Sequence, residues 1–393
     1  MPGNNDSNEE PPRSAPGCIF SLFWALASLP FWIAALVLIA VAVTVEGRLF
    51  AFAVLCLLPV PLNLLHWKSR PRRWVTLLLL VAGLSALIAC YIRSPRYEDN
   101  PESAARLLYQ NDTRHARLSP ANLVPEVDQH LLGSYLFSLI DSHLDWNQAA
   151  QLREHLKKVY GDLEQDHELA ALPSALGFAY EDLLLGRRKV GNLFLYLPPG
   201  DAPKPVILFL HGSMGNFQGY WQIWKTFADQ YDVAIVAPTF GAGNWSQPGG
   251  LKAIELARAF CLKNPRLDAG RIILAGVSNG GSGVSRAAAE KPAAWYGLVL
   301  LSPVLEKSVL DTPEFKTGWR GRPVLLISGE KDRRIPAAHL RTLEKSITDS
   351  AVRVESHYLP GEDHFLAFPA WPAVRKLIVD WMRNEEFLPT KIP

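Results

Sequence analysis

Cysteine is scarce in this sequence, with four among 393 residues, at positions 18, 56, 90 and 261. Three of them fall in an apolar N-terminal region, so neither a disulfide framework nor a cysteine-based metal cluster can be drawn from them. An excess of one charge is also missing. Forty Lys and Arg stand against 38 Asp and Glu, a formal net charge of +2, and no basic stripe appears. A nucleic-acid partner is therefore not expected. Five of the ten histidines (His115, His130, His143, His155 and His167) lie between residues 97 and 188, and none has a histidine four residues away with a glutamate between. That excludes H-E-x-x-H zinc chemistry, and no metal site is expected. A cleavable leader is not expected either. The first apolar run is too long, lacks a basic leader and has further runs behind it.

Long apolar runs are present instead. After a polar stretch over residues 1–17, expected to be a disordered tail, residues 18–95 carry about three candidate transmembrane spans, at 19–45, 49–65 and 74–92. Each is close to the length that a bilayer core demands. The breaks are Glu46-Gly47-Arg48 and residues 66–73. Lys68, Arg70, Arg72 and Arg73 crowd the second break, which places that loop in the cytoplasm. The expectation is an integral membrane protein, in contact with the lipid bilayer, whose remaining chain lies on the non-cytoplasmic side. Residues 96–188 are charged and read as a helical linker or cap, with one amphipathic helix over 146–163.

From residue 189 to 393 the pattern changes to short apolar strands alternating with helices. Residues 205–210 form a continuous apolar run, as a parallel strand buried on both faces should, followed by His211-Gly212-Ser213-Met214-Gly215. Residues 272–275 are another, running straight into Gly276-Val277-Ser278-Asn279-Gly280 and a small-residue helix start. This is G-x-S-x-G with a strand before it and a helix after it. A serine on such a sharp turn presents its hydroxyl, and the flanking glycines remove the bulk that would block the turn. After the strand at 324–327, a loop carries Glu330 and Asp332, and Asp311 lies after the preceding strand. Asp332 is the favoured acid, with Glu330 the competitor. The strand at 352–359 puts His357 on a polar face, whereas His364 sits in a loop past that last strand and can fold back over the sheet. Phe217, Tyr220, Trp221, Trp224, Phe240 and Trp245 gather around these loops, as core packing or as a pocket lining.

The order Ser278, Asp332, His364 on alternating strands and helices resembles the α/β-hydrolase superfamily. The Gly-x-Ser-Asn-Gly-Gly elbow is similar to its esterase, polyester-depolymerase and prolyl-oligopeptidase-like branches. The resemblance implies an α/β fold with a mostly parallel sheet over 189–393. It implies Ser278 as nucleophile, His364 as general base and acid, and Asp332 as orienting acid. The oxyanion would be met by the Asn279 amide and by that of Ser213 or Met214. No cofactor is implied. The expected function is a membrane-anchored serine hydrolase, a carboxylesterase acting on a small or polymeric ester. The alternatives are a serine peptidase of prolyl-oligopeptidase type, an acyltransferase and a catalytically inactive membrane scaffold.

Overall fold

A computed structural model describes residues 15–65, 70–109, 118–143 and 146–388. The tail expected over 1–17 lies outside them except for its last three residues, which already belong to a helix, and Lys68 and His115 also lie outside. The chain divides into two compact units, Met1–Arg93 and Ser94–Pro393.

The first unit is helical, with α1 (Ala15–Val41), α2 (Val45–Leu57), α3 (Val60–Leu65) and α4 (Arg70–Arg93). Three stretches, Ile19–Val41, Val45–Leu65 and Arg70–Arg93, are long and apolar enough to cross a membrane. Side chains such as Leu22, Phe23, Leu78 and Val81 face outward. Two expected breaks shift. Glu46-Gly47-Arg48 is no break but the first turn of α2, because Thr44 caps that helix by accepting the Gly47 N–H at 3.0 Å. The polar pair is satisfied locally as well, Arg48 donating to the Ala42 carbonyl and Glu46 pairing with Arg93. The last helix begins at Arg70 rather than at residue 74, with Pro71 in its first turn, where proline costs no hydrogen bond. Gly83 lets α4 approach α2 closely, since a Cβ there would lie 2.7 Å from Leu57.

The second unit is built on an eight-stranded sheet in the order β1-β2-β4-β3-β5-β6-β7-β8. The strands are β1 (Ala105–Tyr109), β2 (Asn192–Tyr196), β3 (Lys204–Leu210), β4 (Ala234–Pro238), β5 (Leu267–Val277), β6 (Gly297–Leu301), β7 (Pro323–Gly329) and β8 (Arg353–Leu359). From β4 to β8 all neighbours are parallel, and β2 runs antiparallel to both β1 and β4. The fold is therefore of α/β-hydrolase type with a mostly parallel sheet, as the resemblance implied. The central strands are buried end to end, and each residue's direction alternates between two helical layers. Leu208 and Leu210 face the layer of α11 (Gly250–Lys263), α12 (Gly280–Glu290), the short α13 (Lys307–Leu310) and α14 (Pro313–Gly318), and α15 (Ala337–Thr348). Phe209 faces the other way, 5.4 Å from Trp224 of α10 (Gln218–Tyr231), which in turn meets Trp371 of α16 (Trp371–Asn384).

Residues 96–188, expected as a helical linker or cap, are helical and also supply a strand. Their first ordered element is β1, which pairs with β2 from Ala105↔Tyr196 to Tyr109↔Asn192 and closes one edge of the sheet. Helices α5 (Pro120–Leu123), α6 (Glu126–Ile140), α7 (Trp146–Gln165), α8 (His167–Ala170) and α9 (Leu176–Leu185) follow. The amphipathic helix expected over 146–163 is α7. Its Tyr160 lies against Gly219 at the start of α10.

Candidate active site

The elbow is formed by contiguous residues. Ser278 has a φ of 52°, in the left-handed region where a side-chain-bearing residue is strained. The neighbours that hold it there are backbone groups. Its N–H donates to the Leu301 carbonyl at 3.0 Å, and its carbonyl accepts from Gly281 at 2.9 Å and Val304 at 2.8 Å. The glycines leave no space for alternatives. A Cβ on Gly280 would lie 2.2 Å from the Leu210 carbonyl oxygen, and one on Gly276 would lie 2.7 Å from the Gly280 carbonyl carbon.

Three residues far apart in sequence meet at this turn. His364 Nε2 lies 3.0 Å from Ser278 Oγ, and His364 Nδ1 lies 2.8 Å from Asp332 Oδ2. The second oxygen of Asp332 accepts the N–H groups of Arg334 and Ile335, both at 2.9 Å. Burial raises the pKa of this carboxyl. The His364 hydrogen bond, the imidazole charge and the two amides outweigh that and hold it below the usual carboxylate range. The competing acids are engaged elsewhere. Glu330 pairs with Arg341 on the surface, and Asp311 pairs with Lys307 and Lys316. His357 pairs with Glu355 on the edge strand.

On the other side of Ser278 passes the loop after β3. Gly212 is close enough that a Cβ there would be 3.2 Å from the Ser278 Cβ. Of the two alternative amides in this loop, Ser213 or Met214, that of Met214 is engaged elsewhere. The Met214 N–H donates to the Ala242 carbonyl at 2.9 Å, with Met214 itself at a φ of 75°. Among the described residues, the backbone N–H groups of Ser213 and Asn279 make no hydrogen bond. The two residues are joined through their side chains, the Asn279 amide donating to Ser213 Oγ at 2.7 Å. His211 is structural. It is fully buried and accepts the Phe240 N–H on Nε2 at 3.1 Å, with Nδ1 2.8 Å from the Gly212 carbonyl. Burial pushes its pKa down to about 4, so it stays neutral.

Several supporting residues carried no signal in the sequence. Asp182 of α9 is buried, accepts the Ala242 N–H at 3.0 Å and pairs with Arg188 at 2.9 Å. It thereby fixes the Gly241-Ala242-Gly243 turn, whose Ala242 carbonyl holds Met214. Gly243, at a φ of 89°, presses on the loop after β3, where a Cβ would come 2.2 Å from the Gly212 oxygen. Gly241 and Gly243 both have positive φ, which lets the turn close on its neighbours. Asp141, at the end of α6, pairs with Arg334 at 2.5 Å, and the Arg334 guanidinium sits 5.4 Å from the Phe365 ring beside His364. Glu126 of α6 is buried and accepts from Tyr160, Ser174 and the Gln218 N–H. Burial pushes its pKa up to about 7 against the pull of those three donors. The aromatic group around the loops belongs to the core. Trp221, Trp224, Phe240 and Trp245 are all buried, with Trp221 stacked on Phe194 at 4.7 Å.

Residues 244–372, which contain the elbow, the acid loop and His364, match the model of the dienelactone hydrolase family. The chain is similar in structure to Est1E from Butyrivibrio proteoclasticus, at 17% identity and a TM-score of 0.41, over 49% of this chain and 93% of that one. It is also similar to the thermophilic esterase Est2 of the Planctomycetes species Thermogutta terrifontis, at 16% identity and a TM-score of 0.43, over 53% and 95%. No curated protein matches the chain.

Proposed function

We propose, from the premise that this chain is an α/β-hydrolase, that it is a membrane-anchored serine hydrolase that cleaves carboxylic esters through an acyl-enzyme. The observation that carries the reading is the unbroken hydrogen-bonded line from Ser278 Oγ through His364 to Asp332, at 3.0 and 2.8 Å, on a strained turn that exposes the hydroxyl. With the Nδ1–H of His364 donated to Asp332, Nε2 is free to take the Ser278 proton as Oγ attacks an acyl carbon. The oxyanion then forms between the Ser213 and Asn279 amides, each donor contributing about 10²- to 10³-fold in kcat. Collapse breaks the bond to the alcohol, which leaves with the proton from His364. Water repeats the sequence to release the acid. Asp332, kept ionised by its three hydrogen bonds and the imidazole charge, holds the imidazole in one tautomer and stabilises it when charged. In this reading the apolar helices α1 to α4 anchor the enzyme, with the basic start of α4 at Arg70, Arg72 and Arg73 cytoplasmic and the second unit on the non-cytoplasmic side.

The test is labelling of detergent-solubilised protein with a fluorophosphonate, beside Ser278→Ala and His364→Ala. Labelling of the wild type alone supports the nucleophile and its base. A folded wild type that stays unlabelled would sink the reading in favour of an inactive scaffold. Matched ester and amide substrates then separate an esterase from a peptidase, and added alcohols reveal any acyl transfer. Protease accessibility in sealed vesicles tests the orientation.

A further inference from the structure

The end of α9 is an uncovered apolar tip. The first part of this helix is buried, Leu176 and Ala179 packing on Gly215 of the loop after β3. Its last three residues are not. Leu183, Leu184 and Leu185 are 55, 80 and 60% exposed. Three consecutive helical residues point in three directions about 100° apart, so these leucines form a projecting knob rather than a flat face. The knob is rigidly held. Gly186 closes the helix at a φ of 64°, its N–H bonding the Asp182 carbonyl, and the Arg187 N–H bonds that of Glu181. A basic run, Arg187-Arg188-Lys189, follows at once. Arg188 pairs with Asp182 and Lys189 with Glu181, while the exposed Arg187 makes no ion pair among the described residues.

We propose that this tip docks into the head-group region of an anionic lipid bilayer, Leu183–Leu185 entering the acyl boundary and Arg187 meeting lipid phosphate. Two observations favour a lipid surface over a protein. A knob exposed on all sides fits a soft layer, whereas a protein partner would need a socket shaped to it. The charge left unpaired among the described residues, Arg187, is cationic and complements an anionic head-group layer, and the same chain carries three helices long and apolar enough to cross a membrane. The tip belongs to the helix whose first part packs on Gly215 of the loop after β3. The inference does not depend on the hydrolase reading.

The experiment uses the full chain carrying Cys18→Ser, reconstituted in phosphatidylcholine vesicles with and without phosphatidylglycerol. An environment-sensitive fluorophore is placed on Leu184→Cys or, as a control, on Lys345→Cys of α15. Docking predicts quenching by shallow doxyl-labelled lipids at position 184 at least about threefold greater than at 345, and weaker quenching with Arg187→Glu or without the anionic lipid. Equal quenching at both positions overturns the proposal. A probe at 184 that is shielded in detergent as in vesicles, together with cross-linking between copies, overturns it in favour of a second chain. Carbonate extraction of the same vesicles reports separately on the spans. Retention in the membrane with an unquenched position 184 refutes the tip and leaves the anchor standing.

Discussion

The two sides of Ser278 are built in opposite ways. On the nucleophile side, residues 276–281 make the turn from a contiguous stretch, and the constraints come from the next strand and the next helix. On the oxyanion side, three separate segments share the work. The loop after β3 is pressed by Gly243, held through Met214 by Ala242, and backed by Asp182 and Ala179 of α9. A contiguous turn needs only the right local residues. An assembled one is only as precise as its most distant member, and small displacements there are costly for catalysis.

The contrast can be broken deliberately. Ser278→Ala or His364→Ala strikes the contiguous side together with its base, and a fall in ester kcat of about 10⁴-fold or more is expected, with an unchanged melting temperature. Gly243→Ala touches neither residue. Its Cβ would fall 2.2 Å from the Gly212 oxygen at a backbone angle that disfavours side chains. A fall of about 10²-fold in kcat is expected there, read as slower fluorophosphonate labelling with His364 and Ser278 intact. Asp182→Ala lies one step further out. It releases Arg188 and the Ala242 N–H, and about a tenfold loss in kcat at little changed KM is expected. If Asp182→Ala instead matches Gly243→Ala, the oxyanion side is one rigid block and not a chain of supports.

Glu126→Gln should leave kcat untouched and sharpen the picture through stability. The folded pKa of about 7 lies above the ordinary glutamate value of 4.5, so the folded state holds the extra proton between these values. Its contribution is fully present below about pH 4.5 and is lost as pH rises toward 7, by on the order of 3 kcal/mol. Urea titrations across that window should show a flatter pH dependence in the Gln variant. An unchanged slope would mean that Glu126 is ionised throughout.

This asymmetry also sets what the sequence could disclose. The meeting of Ser278, Asp332 and His364 could be expected because each stands just past the end of a strand, and strand ends fix what stands above a parallel sheet. The same logic left Ser213 and Met214 open, since the Met214 N–H bond to Ala242, which distinguishes them, joins two separate loops. The strand β1 was missed because Ala105–Tyr109 is five residues long, without alternation, amid a charged stretch. Asp182 and Glu126 were invisible for another reason. Their partners are largely backbone amides and hydroxyls from other segments, which no residue pattern advertises. The first unit was legible in number but not in its edges, because Thr44 capping moved the boundary past three polar residues.

The position of β1 has a consequence in time. It is made early by the ribosome but pairs only with β2, which emerges after all of α5 to α9. Until then Leu107 and Leu108 belong to an unpaired strand, the state most open to association with other chains. Substitutions there should therefore lower the yield of folded protein made in cells more than the activity of the molecules that succeed. The edge of this sheet is the last part of its early chain to find a partner.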